Sequence, residues 1–304
     1  RKIIGKQGDK MSDLYQIKSE HLQVEISSLG AQVMSIKDKE GLEYLWQGDP
    51  QFWAERFLVL FPYVARMSEG GYTYKGKTYH MDLHGFAKDT IFQVIKQEEN
   101  KIVFFMEDSP VTRTQFPFEF GFEITYEVLE AKLWITYQVQ NRGMEKMYFG
   151  IGGHPGFRVP LHDDEKFTDY MIQFPLDKSM TQIELNEEHF RTGKTFPYDF
   201  PANGQLHLTH ELFDDDAINL TDLSHKLSLS LKNGKEIIRM EFPDVDYLGI
   251  WHTQRKKPNF VCIEPLASLP SRCDRIEDFS THDNLIGLEQ QETYLNRWNI
   301  EVVK

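Results

Sequence analysis

Alternation of apolar and polar residues is the feature that most constrains the fold of this chain of 304 residues. The pattern has a period of two in Leu22–Ile26, Phe122–Val128, Lys226–Lys232 and Trp298–Val302, and in the second half of Lys132–Gln140. Successive side chains of a strand point to opposite faces, so this period places one face on a core and the other in water. The segments are therefore predicted to be half-buried β-strands.

Turn signals separate these segments, and the sequence lacks a sustained helical period. Asn233-Gly-Lys235, between two alternating segments, is a strong signal for a β-hairpin. Short helical pieces are predicted near Pro50–Glu55, Asn186–Arg191 and Arg275–Phe279. Without an internal repeat or a Pro/Ser-rich linker, the sequence predicts an all-β fold, namely one large antiparallel β-sandwich with few short helices.

The composition favours an acidic cytoplasmic protein. A formal net charge of −13 opposes binding to nucleic acid or to a membrane surface, and no basic stripe offsets it. The two cysteines, Cys262 and Cys273, are too few for a disulfide scaffold and are interpreted as packing residues in a reducing compartment. Residues 11–304 are expected to form one domain, and residues 1–10, which precede Met11, are expected to be a loose or added tail.

A glycine-rich segment, Gly150-Ile-Gly-Gly-His-Pro-Gly-Phe157, surrounds a single histidine. It begins the second of two long predicted loops, which run from about Phe61 to Lys88 and from about Gly152 to Tyr170. Loops of this length usually have a function. Glycine lets the backbone approach a ligand, and imidazole suits proton transfer near neutral pH. His154 is therefore either a turn residue at a strand end or a proton-transfer group.

A candidate partner for this histidine follows an apolar run near the end of the chain. Phe260-Val-Cys-Ile-Glu264-Pro265 ends in one carboxylate before a proline, in a position where partial burial would raise its pKa. Alone, Glu264 is equally well read as a solvent-facing residue at a strand end. Together, His154 and Glu264 suggest an acid–base couple drawn from distant parts of the chain.

Further polar and aromatic residues are candidates for contact with a ligand. Arg66 and His84 lie in the first long loop, where a guanidinium fork and an imidazole can donate hydrogen bonds to hydroxyl groups. The run Asp214-Asp-Asp216 leads into a predicted strand at Ala217–Leu220, and one of its carboxylates can accept hydrogen bonds from hydroxyl groups. Trp251 is interpreted either as a stacking platform for a sugar or as a core residue.

Five short motifs in order resemble the aldose 1-epimerase (galactose mutarotase) family, most closely its LacX-like branch. The motifs are Leu29-Gly-Ala, Pro62 to Arg66, Leu83-His-Gly85, Gly152-Gly-His-Pro-Gly-Phe157 and Cys262-Ile-Glu-Pro265. The resemblance, from about Tyr15 to Val303, implies a galactose-mutarotase-like β-supersandwich. It also implies a cofactor-independent and metal-independent isomerase that opens and recloses a hexose ring.

The same resemblance assigns roles to individual residues. It implies that His154 is the general acid and Glu264 the general base, and that Arg66 and His84 bind the sugar. It places the substrate-binding aspartate at Asp216, with Asp214 and Asp215 as close alternatives.

The sequence departs from better-studied mutarotases at Phe86 and at Pro265–Pro270, so the sugar, a hexose such as galactose or glucose, stays open. A hexose phosphate is an alternative substrate, for which Arg158, Arg272 and Arg275 are available cations. A non-catalytic carbohydrate-binding or sensing protein is a second alternative. A glycosidase is disfavoured because that chemistry normally uses two carboxylates.

Overall fold

The computed structural model describes residues 2–4, 11–199 and 203–303 and consists mainly of antiparallel β-strands. The first twelve strands are β1 Lys2–Ile4, β2 Met11–Lys18, β3 Leu22–Ser27, β4 Val33–Asp38, β5 Phe57–Leu60, β6 Gly71–Tyr74, β7 Lys77–His80, β8 Gln93–Gln97, β9 Lys101–Glu107, β10 Phe120–Leu129, β11 Lys132–Asn141 and β12 Met147–Phe149. The others are β13 Gly152–Arg158, β14 Tyr170–Gln173, β15 Thr181–Leu185, β16 Arg191–Pro197, β17 Gln205–His207, β18 Ile218–Thr221, β19 Lys226–Leu231, β20 Glu236–Glu241, β21 Tyr247–Trp251, β22 Phe260–Leu266, β23 Ile286–Leu288 and β24 Thr293–Val302.

Helical structure is sparse in the described part of the chain. It comprises the α-helix α1 Thr112–Gln115 and the 3₁₀ segments Ser68–Gly70, Ala87–Asp89, Phe167–Asp169 and His210–Phe213. None of these helices is long and apolar enough to cross a membrane.

Two large sheets form the body of the structure. One has nine strands in the order β17-β14-β19-β20-β24-β11-β10-β9-β8, and the other has seven in the order β16-β15-β18-β21-β22-β13-β5. Trp298 of β24 packs against Phe57 of β5 with ring centroids 5.7 Å apart, so side chains of the two sheets meet in a shared core. This architecture confirms the predicted all-β antiparallel fold.

Smaller sheets flank the two large ones. One comprises β1 to β4 in sequence order, and two two-stranded sheets pair β6 with β7 and β12 with β23. Of the predicted tail, residues 1–10, Lys2–Ile4 forms the edge strand β1 beside β2. The remainder of that tail lies outside the described residues.

The alternating segments predicted as strands coincide with strands, except that β19 ends at Leu231, one residue before the predicted end. Phe122–Val128 lies in β10, for example, and Asn233–Lys235 connects the antiparallel pair β19 and β20. Alternation identifies these strands because each has one face in the core. The β-hairpin predicted at Asn233–Lys235 is likewise confirmed.

The three predicted helical pieces are wrong. Pro50–Glu55 and Asn186–Arg191 form turns, with the latter running into β16, and Arg275–Phe279 has no helix. These segments connect elements, and short connecting stretches of this kind satisfy their backbone groups by local turns. The long-loop prediction also needs correction, since β6 and β7 interrupt the Phe61–Lys88 segment.

The glycine-rich segment predicted to begin a loop is instead an interior strand, β13, between β22 and β5. Its period of two places Phe157 in the core and His154 on the opposite face, which lines a cavity. On β22, Val261 and Ile263 likewise belong to the core, whereas Glu264 faces the same cavity. Every residue of β22, and every residue of β13 except Arg158, is buried, because both faces of these strands are covered.

Candidate active site

His154 and Glu264 are cross-strand neighbours rather than strand-end residues. Strands β13 and β22 are antiparallel with Gly156 opposite Cys262, a register that sets His154 directly opposite Glu264. On its other side, Glu264 lies opposite Gly249 of β21. A Cβ at Gly249 would lie 3.2 Å from Oε2 of Glu264, so the glycine leaves space for the carboxylate. The sheet register therefore brings together the two groups that the sequence predicts as a couple.

The pair is in contact and almost fully buried. His154 Nε2 lies 3.3 Å from Glu264 Oε1, and the two residues are 6% and 7% exposed. Trp53 stacks on the imidazole with ring centroids 4.8 Å apart, and Trp251 and His84 approach it edge-on. The aromatic rings shield the pair from water on several sides.

Burial moves the two pKa values in opposite directions. It lowers the pKa of His154 from 6.5 to about 4, because the imidazolium loses its hydration. It raises the pKa of Glu264 from 4.5 to about 8, and the nearby Asp216 carboxylate contributes to that rise. Between about pH 4 and about pH 8 the pair therefore holds one titratable proton. The two values belong to the pair as much as to either residue.

That proton can reside on either partner. Transfer from Glu264 to His154 creates two buried charges, and the gap between pKa values of about 4 and about 8 makes this cost about 5 kcal/mol. The two charges, 3.3 Å apart, attract each other by about 5 kcal/mol at an effective dielectric constant of about 20. The opposing contributions are similar in size. The attraction between the two charges therefore offsets much of the cost of moving the proton from Glu264 to His154.

A cavity of about 570 Å³ opens over this pair. The four other residues predicted at the site, Arg66, His84, Asp216 and Trp251, also line it. Its size is typical of a pocket for a small molecule. The structure thus brings all six predicted site residues to one cavity.

A strained loop fixes the orientation of His84. The backbone N–H of Ala65 donates a hydrogen bond to Nδ1 of His84 over 3.0 Å, so the proton of the neutral imidazole lies on Nε2. His84 has a φ of 65° and Gly85 a φ of 73°, and a side chain at Gly85 would collide with the carbonyl oxygen of Phe61. Burial, His154, Lys88 and Arg66 all lower the pKa of His84, which keeps it a neutral donor.

The structure distinguishes among the three consecutive aspartates. Asp216 lines the cavity just before β18, which begins at Ile218 rather than at the predicted Ala217. The backbone carbonyl of Asp215 instead accepts a hydrogen bond from Gln254. Asp216 is therefore the member of the run that the fold places beside Glu264.

Several residues of the cavity were not predicted from the sequence. Trp53 lies in a segment predicted to be helical, and His189 lies in another. Asn219 occupies the position of β18 opposite Gly249, in the same cross-strand row as Glu264. Asn219 could have been predicted, because it alternates with the apolar residues Ile218 and Leu220 in β18. Nothing local indicates Trp53 or His189, because their turns reach the cavity through tertiary packing.

The cations considered for a phosphate group lie apart from this cavity. Arg158 lines a second cavity of about 400 Å³ together with Lys166 and Lys257. Arg272 and Arg275 contact Asp274. Among the described residues, the permanently charged cations lining the main cavity are Arg66 and Lys88, and Lys88 forms an ion pair with Asp89.

Two groups of three potential metal ligands occur in the described part of the chain, namely His154 with Cys262 and Glu264, and Glu277 with His282 and Asp283. In the first, burial and Glu264 raise the pKa of the Cys262 thiol well above its usual range, which disfavours the thiolate that binds metals. In the second, Arg191 contacts both carboxylates and already supplies a positive charge.

Comparison with known proteins gives consistent matches. The family model described as aldose 1-epimerase matches residues 13–295. The chromosomal protein LacX of Lactococcus lactis subsp. lactis is 31% identical over 267 residues, covering 84% of this chain and 87% of LacX. A galactose mutarotase related enzyme from Lactobacillus acidophilus has a TM-score of 0.91 at 30% identity, covering 96% of this chain and 98% of that one. A galactose mutarotase-like protein from Lactobacillus casei ATCC 334 has a TM-score of 0.90 at 28% identity, covering 96% and 100%.

Proposed function

Because the chain belongs to the aldose 1-epimerase family, we propose that it interconverts the α and β anomers of a hexose through His154 and Glu264. The family predicted from the short motifs is confirmed by these matches, and membership supports a sugar isomerase. The observation that carries the proposal is the buried cross-strand contact between an imidazole and a carboxylate at the base of a small-molecule cavity. A pair that holds one proton suits a reaction that moves one proton at each end of a hemiacetal.

The reaction opens and recloses the sugar ring. The carboxylate of Glu264 removes the proton from the O1 hydroxyl, and the imidazolium of His154 protonates the ring oxygen. The bond between C1 and the ring oxygen breaks and an aldehyde forms at C1. Rotation about C1–C2 then presents the other carbonyl face. In closure, His154 takes the proton back from the ring-oxygen hydroxyl and Glu264 returns its proton to O1.

This scheme conserves protons at the pair. Before opening, the single proton resides on His154, and after opening it resides on Glu264. The near balance between charge burial and charge attraction makes both states accessible, as a reversible isomerisation requires. Net exchange of protons with solvent is unnecessary at any step.

The other residues of the cavity bind and orient the sugar in this proposal. His84 donates from Nε2–H, the nitrogen left free by the Ala65 hydrogen bond, and Arg66 donates from its guanidinium. Asp216 accepts hydrogen bonds from ring hydroxyl groups. Trp251 offers an aromatic face or edge to the sugar ring. The proposed substrate is a hexose such as galactose or glucose.

The proposal is tested by following anomer interconversion of freshly dissolved α-galactose and α-glucose by polarimetry or saturation-transfer NMR. The wild type is compared with His154→Asn and Glu264→Gln, each expected to lower kcat/KM by about 10²–10⁴-fold. Glu20→Gln, at an exposed carboxylate, and His225→Asn, at a half-buried histidine that does not line the cavity, are the matched controls and should retain wild-type activity. Retention of full activity in either site variant would refute the acid–base assignment.

Substrate arms of the same experiment separate the alternative functions. Acceleration of a hexose phosphate but not of the free hexose would replace the proposed substrate. Binding of a sugar without any acceleration would favour a carbohydrate-binding protein and overturn the proposed catalysis.

A further inference from the structure

We propose that His189 is a further substrate-binding residue, which acts with Asp216 to hold one ring hydroxyl and thereby sets which sugars the site accepts. This inference rests on the proposed function. His189 lies in the turn between β15 and β16, outside the motifs that carry the family resemblance, and it lines the same cavity as His154 and Glu264.

The contact between His189 and Asp216 determines the chemistry of the pair. Nδ1 of His189 lies 2.7 Å from Oδ2 of Asp216, although the two are not aligned for a hydrogen bond in this structure. Beside an ionised carboxylate, a proton on the ring nitrogen avoids repulsion between two lone pairs at this distance. Both atoms are shielded from solvent, and neither forms a hydrogen bond with the described residues.

This protonation leaves two groups that can accept a hydrogen bond from a sugar. In the neutral His189 ring, a proton on Nδ1 makes Nε2 an acceptor, and the second carboxylate oxygen of Asp216 is also an acceptor. Arg66 and His84 supply donors to the same cavity. A sugar hydroxyl both donates and accepts, so a cavity with both kinds of group can recognise hydroxyl positions individually.

The turn that carries His189 is held by its own side-chain cap. The Asn186 side-chain oxygen accepts hydrogen bonds from the backbone N–H groups of Glu188 and Phe190, at 3.1 and 2.9 Å. His189 itself has a φ of 70°, in the left-handed region that non-glycine residues seldom adopt. Strained residues of this kind persist where the surrounding structure determines them, and they cluster at functional sites.

An ion pair of the buried Arg191 side chain fixes the turn on its other side. Arg191, two residues after His189, is 6% exposed and forms two parallel hydrogen bonds of 2.8 Å with Asp283. Its Nε also donates to the carbonyl oxygen of Pro270 over 2.6 Å, and Pro270 lines the cavity. Bidentate pairs of this type are directional. Arg191 is therefore a positioning residue that ties the His189 turn to the cavity wall.

Energetics favour a role in selectivity over a uniform contribution to binding. Removing one partner of a buried hydrogen bond costs about 1–3 kcal/mol, which corresponds to about 5- to 150-fold in kcat/KM. A site built to bind a hydroxyl discriminates strongly against an analogue that lacks it, because buried polar groups are then left without partners. His189 and Asp216 are such groups.

The test combines a variant of the protein with deoxy analogues of the substrate, in the manner of a double-mutant cycle. Wild type and His189→Asn are assayed for anomer interconversion of the parent hexose and of its 2-, 3-, 4- and 6-deoxy analogues, each corrected for its uncatalysed rate. Asparagine tolerates the left-handed backbone but is shorter than histidine. His225→Asn is the matched control, since His225 is also half-buried with a φ of 58° and lies in the turn before β19.

The wild type should lose about 10- to 100-fold in kcat/KM on one deoxy analogue. His189→Asn should show a similar loss on the parent hexose but little further loss on that analogue. An equal loss on every sugar would indicate a purely structural role and overturn the inference, as would unchanged activity on the parent hexose. If the wild type accelerates no hexose, the proposed function fails, and the same cycle measured with sugar dissociation constants tests His189 independently.

Discussion

Replacement of Glu264 by glutamine is expected to stabilise the protein increasingly as the pH rises. Burial raises the pKa of Glu264 from 4.5 to about 8 in the folded state. Below pH 4.5 both the folded and the unfolded states hold the proton. Between pH 4.5 and about 8 the unfolded chain releases it while the folded protein retains it, so stability is lost as the pH rises through this range.

The size of the effect follows from the two pKa values. At about 1.36 kcal/mol per pH unit, the loss is about 1 kcal/mol at pH 5 and about 4 kcal/mol at pH 8. Glutamine has nearly the shape of a protonated glutamate and does not ionise. The advantage of Glu264→Gln in the free energy of unfolding should therefore grow by about 3 kcal/mol from pH 5 to pH 8.

Urea denaturation at the two pH values measures this difference, with thermal melting as a second method. Glu20→Gln, at an exposed carboxylate, is the control and should change the unfolding free energy by about the same small amount at both pH values. His154 is present in both proteins, so its titration largely cancels in the comparison. An equal effect of Glu264→Gln at pH 5 and pH 8 would refute the view that the buried pair retains its proton up to about pH 8.

Two further predictions concern the pH dependence of activity. If the pair works with one shared proton, kcat/KM should be level between the pKa values of about 4 and about 8 and should decline on both sides, and a pH–rate profile with a single titration would contradict this. Trp53→Leu removes the ring stacked on His154 and admits water, so the pKa of His154 should rise from about 4 towards 6.5. The acidic limb of the pH–rate profile should then move to higher pH. NMR titration of the imidazole checks that shift, and an unchanged value would show that Trp53 does not shield the ring.

The incorrect expectations have a common physical origin. Gly152–Phe157 looks like a loop because glycine and proline punctuate turns, yet it forms the interior strand β13. Its glycines allow close packing, since a Cβ at Gly153 would overlap the ring of Trp298 and one at Gly156 would lie 2.8 Å from Trp53. Local propensity cannot register these neighbours, which belong to distant parts of the chain.

The sequence by itself determined the strands and the all-β class, because side chains of a strand alternate between two faces and one face must enter the core. It also identified His154 and Glu264 as candidates through their chemistry and the family motifs. Only the tertiary structure decided that they face each other, because the register of β13 against β22 pairs residues 110 positions apart. The selection of Asp216 from three consecutive aspartates, and the arrival of Trp53 and His189, depend in the same way on long-range packing. Alternation specifies which face a side chain occupies, whereas register and loop packing specify its neighbour.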